Sequence, residues 1–391
     1  YRTYFTRGLT RTLVAAKAQE ASTKTGGDIF IQLLFNMADP SIDVDRVLDG
    51  PTNDRWIDPW LAYLRSRGVD YRFDCRLEGF EISGGKIAGA WIRQGEERRL
   101  VEGDYYVAAV PVEVLAPLLT DEILKLDSSL ATINALKADV SWMNGLQIYL
   151  NEPVDINRGH VIYADSQWAL TSISQPQFWK DFDPSRYGGG NVKDILSVDI
   201  SDWDTPGLNG KAAKDCVDNQ DVFDEVWSQL KASLNVDGRV RLRDEQIVTW
   251  YLDDDIRFFS KHTQDTEPLL VNKVNTWDLR PDAHTGIPNL FLASDYVKTY
   301  TDLATMEGAN EAARRAVNGI IDASGSPAPL CRLWQIHEPW SLSLLRWLDG
   351  RRFRDGLPWR DEFPELARVA HAAMVWASSI ISRQPWKLPF S

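Results

Sequence analysis

The sequence predicts a mixed α/β (α+β) fold with two kinds of sheet, and three parts of the chain indicate this. Residues 289–321 read as an apolar strand, a short loop and a helix, the pattern of a parallel α/β unit. The helix keeps Ala312, Ala316 and Ile320 on one face, which is small enough to pack closely on a sheet. Residues 71–110 contain several short strands with a Gly-Gly turn, typical of an antiparallel meander. Residues 143–200 contain further strands, which precede a helical pattern at 221–234.

The first 67 residues are predicted to be mainly helical. Apolar residues recur with partial helical periodicity near the start, at Leu9, Leu13, Ala16 and Ala18. A second apolar run begins after Asp28 and continues to Phe35, and residues 55–67 form another predicted helix. In the meander that follows, strands are expected at 80–82, 87–92 and 105–110, with Gly84 and Gly85 in the hairpin turn.

The middle and the end of the chain predict a second sheet and a helical tail. A helix is expected over 111–119, and strands over 143–150 and 195–200 belong to an antiparallel sheet. In the tail, apolar residues trace one helical stripe, namely Leu366, Val369, Ala370, Ala373, Trp376, Ala377, Ile380 and Ile381. Three interpretations of this stripe stay open: docking on the protein's own surface, contact with a second copy or a partner, and binding to a membrane surface.

A candidate ligand site follows the strand at 289–295. The strand ends in Asp295, whose carboxylate can accept hydrogen bonds from hydroxyl groups. Ten residues later a helix opens near Thr305 and Gly308. A helix N-terminus presents free N–H donors and a positive dipole end, which suit an electron-rich carbonyl or a phosphate.

This strand–loop–helix pattern resembles the C-terminal flavin-binding motif of the FAD-dependent amine oxidase and phytoene desaturase superfamily. The resemblance implies that FAD is the cofactor and that the chain contains a Rossmann-like FAD/NAD(P)-binding domain. It also implies a set of cofactor-binding residues, namely Leu77, Ser294, Asp295, Thr305, Met306, Glu307, Gly308 and Ala309. Leu77 would lie in an adenine-contacting strand over 68–77, and Asp295 beside the ribityl and diphosphate groups. The family usually has Gly-Asp where this chain has Ser294 and Asp295.

The resemblance also predicts how the chain divides into domains. An antiparallel sheet with helices, the substrate domain, is inserted into the cofactor domain, and a helical extension follows. The segments are 1–67 (helical part of the substrate domain and lead into the cofactor domain), 68–110 (cofactor-domain strands), 111–270 (substrate domain), 271–325 (return to the cofactor domain) and 326–391 (helical C-terminal extension). We therefore expect 71–110 and 271–322 to meet in one domain.

The dinucleotide-binding fingerprint of such flavoproteins, Gly-x-Gly-x-x-Gly after a strand, does not occur in this sequence. Three accounts stay open. The polypeptide is represented incompletely, or it is cut and keeps a partner fragment that completes the FAD site, or its lineage has lost FAD binding.

Composition excludes several functional classes. A net charge of −13 argues against non-specific nucleic-acid binding. No run approaches the roughly 18 apolar residues of a membrane-spanning helix. The three cysteines are widely spaced and the five histidines lack ligand spacing, so neither a disulfide framework nor a metal site is expected. We expect a cytoplasmic protein, with peripheral membrane contact and homo-oligomer formation as alternatives.

The predicted activity is hydride transfer from a bulky, largely apolar substrate to FAD, as in the phytoene desaturase and hydroxysqualene dehydroxylase branch. This activity and an isoprenoid substrate are implied by the resemblance. Arg280, upstream of the flavin strand, is the candidate catalytic residue, because an arginine there could stabilise a reduced flavin or orient a polar head group. The alternatives are a flavin amine or amino-acid oxidase and a non-catalytic subunit that needs a partner.

Overall fold

A computed structural model describes Arg11 and residues 15–29, 47–260, 262–335, 340–358 and 364–381. Most of the helical expectation for the first 40 residues, including Leu9, Leu13 and Phe35, lies outside these described residues. Within them, residues 23–29 are helical, whereas Ala16 lies in an irregular segment and is buried.

Besides the helical residues 23–29, the described residues form fourteen strands and eight α-helices. The strands are β1 (Cys75–Ser83), β2 (Lys86–Gln94), β3 (Glu97–Val101), β4 (Tyr106–Ala108), β5 (Val140–Ser141), β6 (Asn144–Leu150), β7 (Val161–Ile162), β8 (Leu170–Ser174), β9 (Asp194–Ile200), β10 (Ile247–Leu252), β11 (Ile256–Phe259), β12 (His262–Asp265), β13 (Leu269–Leu270) and β14 (Leu290–Leu292). The helices in the element order are α1 (Asp58–Ser66), α2 (Val112–Leu115), α3 (Asp121–Leu126), α4 (Ile133–Leu136), α5 (Asn219–Leu234), α6 (Met306–Ser324), α7 (Ser343–Arg354) and α8 (Glu365–Ile381).

Strands β1, β2 and β3 form the expected antiparallel meander. Gly84 and Gly85 connect β1 to β2 with φ values of +60° and +75°, a conformation that side chains with a Cβ disfavour. The strand expected over 68–77 begins only at Cys75, so that part of the prediction is wrong. Gly68 and Asp74 have positive φ angles, which lie outside the extended region of a β-strand.

Strand β4 pairs in parallel with β14, although about 180 residues separate them in the chain. Helix α6 packs on β14, and Ala312 and Ala316 are fully buried there, as the small-residue face predicted. A Cβ on Gly319 would lie 2.6 Å from the ring of Phe291, so this glycine allows the helix to approach the strand closely. Residues 71–110 and 271–322 thus share one hydrophobic core.

The second sheet has five strands in the order β10-β6-β9-β8-β7, all antiparallel. Alternate residues of β6 are buried, and this face packs against α5 through Val222, Val226 and Leu230. The short pair β5–β13 leads from this sheet back to the cofactor-type core. The mixed α/β fold is therefore confirmed, and the second sheet is antiparallel as expected.

The tail forms two helices, α7 and α8, which contact each other. The predicted stripe is helical, but Leu366, Val369 and Trp376 are 86%, 64% and 68% exposed. These three side chains are therefore largely exposed, and the three interpretations of the stripe stay predictions. Among the described residues, no helix is long and apolar enough to cross a membrane.

Candidate functional site

The carboxyl ends of β4 and β14 lie side by side at one edge of the parallel pair. Leu292 is in register with Ala108, and the N–H of Ala293 donates to the carbonyl of Ala108 at 3.1 Å. The chain continues from β14 into Asp295 and from β4 into α2, where Glu113 lies in the first turn. Ligands of parallel α/β sheets bind at this edge, so two carboxyl groups follow the strand ends where a ligand is expected.

Asp295 is partly buried, and Ser294 is its immediate side-chain neighbour. The hydroxyl of Ser294 donates to Oδ1 of Asp295 over 3.2 Å. Burial raises the pKa of Asp295, while the Ser294 hydroxyl and the positive charge of Arg280 oppose this rise. The serine that replaces the usual glycine of the motif therefore orients the aspartate.

Arg280 is 3% exposed and ties together the two ends of the segment between β14 and α6. Its Nη1 donates to the backbone carbonyl of Asp295 at 2.8 Å and lies 3.3 Å from Oδ1 of Asp302. Its Nη2 donates to Oδ1 of Asn272. Burial lowers the pKa of Arg280, and the carboxylates of Asp302 and Asp295 oppose this effect. The guanidinium is engaged inside the protein by these contacts.

Asp302 is the second member of this buried network and was not predicted from the sequence. Its φ of 46° lies in the left-handed region, which aspartate tolerates better than most residues. The hydroxyl of Thr25 donates to its Oδ2 at 2.6 Å, and Nζ of Lys24 lies 3.6 Å from the same atom. The loop that precedes α6 is thus fastened both to Arg280 and to the 23–29 helix.

Helix α6 begins at Met306, with Thr305 as its N-cap. Oγ1 of Thr305 accepts from the N–H of Gly308 at 3.2 Å, and its carbonyl accepts from Ala309 at 2.9 Å. The N–H groups of Met306 and Glu307 are the first two of the helix and have no intrahelical acceptor. These two N–H groups are the donors that the helix start offers to a ligand.

The glycine at position 308 is required by the protein's own backbone. A Cβ there would lie 2.4 Å from the carbonyl oxygen of Leu303, which is too close for any contact. The resemblance places this glycine among the cofactor-binding residues, but its contact with the protein's own backbone is a sufficient reason for it.

The structure brings most of the predicted site residues together. Ser294 and Asp295, residues 305–309 and Arg280 all belong to the unit built from β14, its loop and α6. Leu77 lies apart from this unit, in β1 of the antiparallel meander, where it pairs with Ile92. Its role as an adenine contact stays a prediction.

Glu113 is the residue at this edge that the sequence analysis missed. Its Oε1 atom is buried and has no hydrogen-bond partner in the described part of the chain. The available signal was its position just after Pro111, which follows a strand expected to lie in the same domain as the Asp295 strand. An acid in the first turn of a helix is common for reasons of helix stability alone, so the residue type gave no warning.

Two curated relatives resemble this chain. The 15-cis-phytoene desaturase of Synechococcus elongatus is 25% identical over 284 residues, which cover 70% of this chain and 52% of the relative. The chloroplastic/chromoplastic 15-cis-phytoene desaturase of an Oncidium hybrid cultivar is 21% identical over 278 residues, which cover 70% of this chain and 42% of the relative. The chain therefore spans about half the length of the curated relatives it matches.

Two solved structures of putrescine oxidase variants with redesigned cofactor binding share the fold. Their TM-scores are 0.52 and 0.51, with 13% and 11% sequence identity. The match to the first covers 81% of this chain and 64% of that one, and the match to the second covers 83% and 63%.

Residues 43–321 match the sequence family described as flavin containing amine oxidoreductase. This range includes the meander, the five-stranded antiparallel sheet and the β14–α6 unit up to Ile321. The superfamily resemblance and FAD as the cofactor are thereby confirmed. The chain belongs to the family of flavin containing amine oxidoreductases.

Proposed function

We propose that this chain is part of an FAD-dependent oxidoreductase of the desaturase type, which oxidises a C–H bond of a bulky, largely apolar substrate. The observation that carries the proposal is the shared edge of β4 and β14. Asp295 lies at this edge, and the loop that follows it leads to the N-terminus of α6. When bound, FAD supplies the two-electron chemistry by accepting hydride.

The polar groups at this edge are complementary to parts of FAD. Carboxylates accept hydrogen bonds from hydroxyl groups, which FAD carries on its ribityl chain and ribose. Asp295 offers such an acceptor, and Oε1 of Glu113 is a buried oxygen without a partner in the described part of the chain. The N–H groups of Met306 and Glu307 are donors for an electron-rich carbonyl or a phosphate.

Within this proposal the predicted site residues have different tasks. Asp295, Met306 and Glu307 contact the cofactor. Ser294 orients Asp295, and Thr305 caps the helix and so fixes the direction of its free N–H groups. Gly308 and Ala309 allow the first turn to form against Leu303 and Thr305.

We propose that Arg280 positions the site and does not touch the substrate. Its side chain is 2% exposed, and it contacts the Asp295 carbonyl, Asp302 and Asn272. An arginine held in this way is not available to bind the carboxylate head of an amino acid. This contact set weighs against the amino-acid oxidase alternative.

The isoprenoid class of substrate is proposed from the names of the two curated relatives, both 15-cis-phytoene desaturases. To test it, FAD-loaded full-length protein is mixed without oxygen with a long isoprenoid hydrocarbon or with putrescine. Bleaching of the flavin absorbance by the hydrocarbon alone supports the proposal. Bleaching by putrescine alone would contradict it and favour an amine oxidase.

We further propose that polypeptide carrying the dinucleotide-binding βαβ unit covers the face of α1 and the residues around it. None of the residues of α1 is buried. Aromatic side chains of α1 and of the helical turn before it are exposed to solvent. Trp56 is 40% exposed, and Trp60 and Tyr63 are each 55% exposed. Exposed apolar patches of this kind mark interaction sites.

Flavin titration of two forms of the protein tests this completion of the site. Residues 1–391 alone, a 44.3 kDa chain, are expected to bind FAD weakly, and the full-length protein or its complex tightly. Tight FAD binding by the isolated 391 residues would contradict the proposal. Mass spectrometry of the native sample identifies the polypeptide that is present.

A further inference from the structure

Glu113 and Asp295 follow the two adjacent strands of the parallel pair. Glu113 follows β4 through Pro111 at the start of α2, while Asp295 follows β14. The negative charges that act on Glu113 come from Asp295, Glu267 and Asp265. Since Asp265 ends β12 and Glu267 follows it, Glu113 lies near both this hairpin and the edge that carries Asp295.

The carboxyl group of Glu113 is only partly satisfied within the protein. Oε1 is buried without a partner in the described part of the chain, and a hydrogen bond from the residue's own backbone N–H reaches the side chain. A buried oxygen that lacks a partner costs free energy, which a bound group can recover.

The charges around Glu113 decide which chemical group suits it. A phosphate would face the carboxylates of Asp295, Asp265 and Glu267 and would be repelled. No group of three or more His, Cys, Asp or Glu side chains arranged to hold a metal ion occurs among the residues that the structure describes. A hydroxyl group fits, because it donates to one carboxylate oxygen and accepts from a protonated carboxyl group.

We propose that Glu113 and Asp295 together bind hydroxyl groups of the FAD polyol, which makes Glu113 a further cofactor-binding residue. This inference rests on the proposed FAD site. In its protonated form, which a raised pKa favours, Glu113 is both a donor and an acceptor. Burial raises the pKa of Glu113, its own backbone N–H lowers it, and the charges of Asp295, Glu267 and Asp265 raise it further.

The test is an equilibrium titration of the full-length protein with FAD, followed by fluorescence, at a series of pH values above the ordinary carboxyl pKa of about 4, because the pKa of Glu113 is raised. Three variants are compared with the wild type: Glu113→Gln, Glu113→Ala and the control Glu122→Gln, an exposed acid on α3. Thermal unfolding of each variant verifies that it is folded.

Glu113→Ala is expected to weaken FAD binding about tenfold, the effect of losing one hydrogen bond to a buried group. Glu113→Gln keeps a donor and an acceptor, so its affinity should stay within about twofold of the wild type at the lowest pH of the series. As the pH rises, wild-type affinity should fall relative to that of Glu113→Gln. Asp295 has a raised pKa at the same edge in both proteins. The ratio of the wild-type affinity to that of Glu113→Gln therefore reports Glu113, whereas either affinity alone does not.

Titrations with FMN and with ADP separate the two sources of hydroxyl groups. A loss confined to FMN assigns the contact to the ribityl chain, and a loss confined to ADP assigns it to the adenosine ribose. Wild-type affinity for FAD in both Glu113 variants at every pH would overturn the inference and leave the proposed FAD site intact. Failure of the wild-type protein itself to bind FAD would overturn the proposed function as well.

Discussion

The guanidinium of Arg280 lies 3.3 Å from the carboxylate of Asp302, and both side chains are 2% exposed. Arg280 lies in the segment before β14, and Asp302 lies in the loop between β14 and α6. The ion pair therefore connects these two segments. Arg280 also holds the carbonyl of Asp295, so one buried cation fixes both ends of the segment that carries the candidate flavin contacts. The geometry of the candidate flavin contacts therefore depends on the ion pair between Arg280 and Asp302.

Replacing Asp302 by Asn should destabilise the protein by about 3 kcal/mol, because it leaves Arg280 as a buried charge without its carboxylate. Asparagine tolerates the left-handed φ of 46° at this position, so the backbone is not strained further. Denaturant unfolding measures the change. The control is Lys214→Met, which removes the exposed ion pair with Asp204 and should cost less than about 1 kcal/mol. Equal losses of unfolding free energy in the two variants would show that the buried ion pair contributes no more than the exposed one.

Thr25→Val should loosen the 23–29 helix from the loop before α6. The variant removes the hydroxyl that donates to Asp302 over 2.6 Å and keeps the shape of the side chain. A hydrogen bond to a charged group contributes about 1.5–3 kcal/mol. Hydrogen exchange should become faster in residues 23–29 and in the loop at 299–305. Unchanged exchange in both segments would mean that this contact does not fasten them.

Burial raises the pKa values of Glu113, Asp295 and Asp265. The pH dependence of the protein's stability should reveal these raised values. A carboxyl group with a raised folded-state pKa holds its proton longer in the folded protein than in the unfolded one. Its contribution to stability is therefore present below the ordinary carboxyl pKa of about 4 and is lost as the pH rises through the folded value. Glu113→Gln should gain stability relative to the wild type between pH 4 and pH 8. A difference that stays constant over this range would show that Glu113 titrates normally.

Gly308→Ala should reduce the stability of the protein even in the absence of FAD. The new Cβ would lie 2.4 Å from the carbonyl of Leu303, so the first turn of α6 has to shift. The larger Gly308→Val should have a greater effect and should also release the flavin. Unfolding of the apo variants measures the internal part of the effect, and FAD titration measures the rest. An apo stability equal to that of the wild type would mean that the glycine is needed only for the cofactor.

Local patterns in the sequence were enough to predict the strand that ends at Asp295, the helix with Thr305 at its start and the small residues Ala312 and Ala316 that face the sheet. Each of these depends on residues close together in the chain. The expected strand over 68–77 was misjudged, because residues with positive φ at Gly68 and Asp74 interrupt it.

The contacts that hold the site could not be predicted in the same way. Thr25 and Asp302 are 277 residues apart, and nothing in either segment indicates the other. The position of Glu113 beside Asp295 depends on the parallel pairing of β4 with β14, which no short window of sequence contains. The internal reason for Gly308 likewise depends on the path of the backbone at Leu303.

The most direct test of the central claim, that FAD binds at the edge formed by β4 and β14, is the FAD affinity of Asp295→Ala in the full-length protein. The account predicts that the binding free energy weakens by about 1–3 kcal/mol, because hydrogen-bond partners of the carboxylate are left unsatisfied. The control Asp278→Ala changes an acid in the short helical turn Trp277–Leu279 before Arg280 and should bind FAD as the wild type does. Wild-type affinity in Asp295→Ala would contradict the account, because this edge would then not face the flavin.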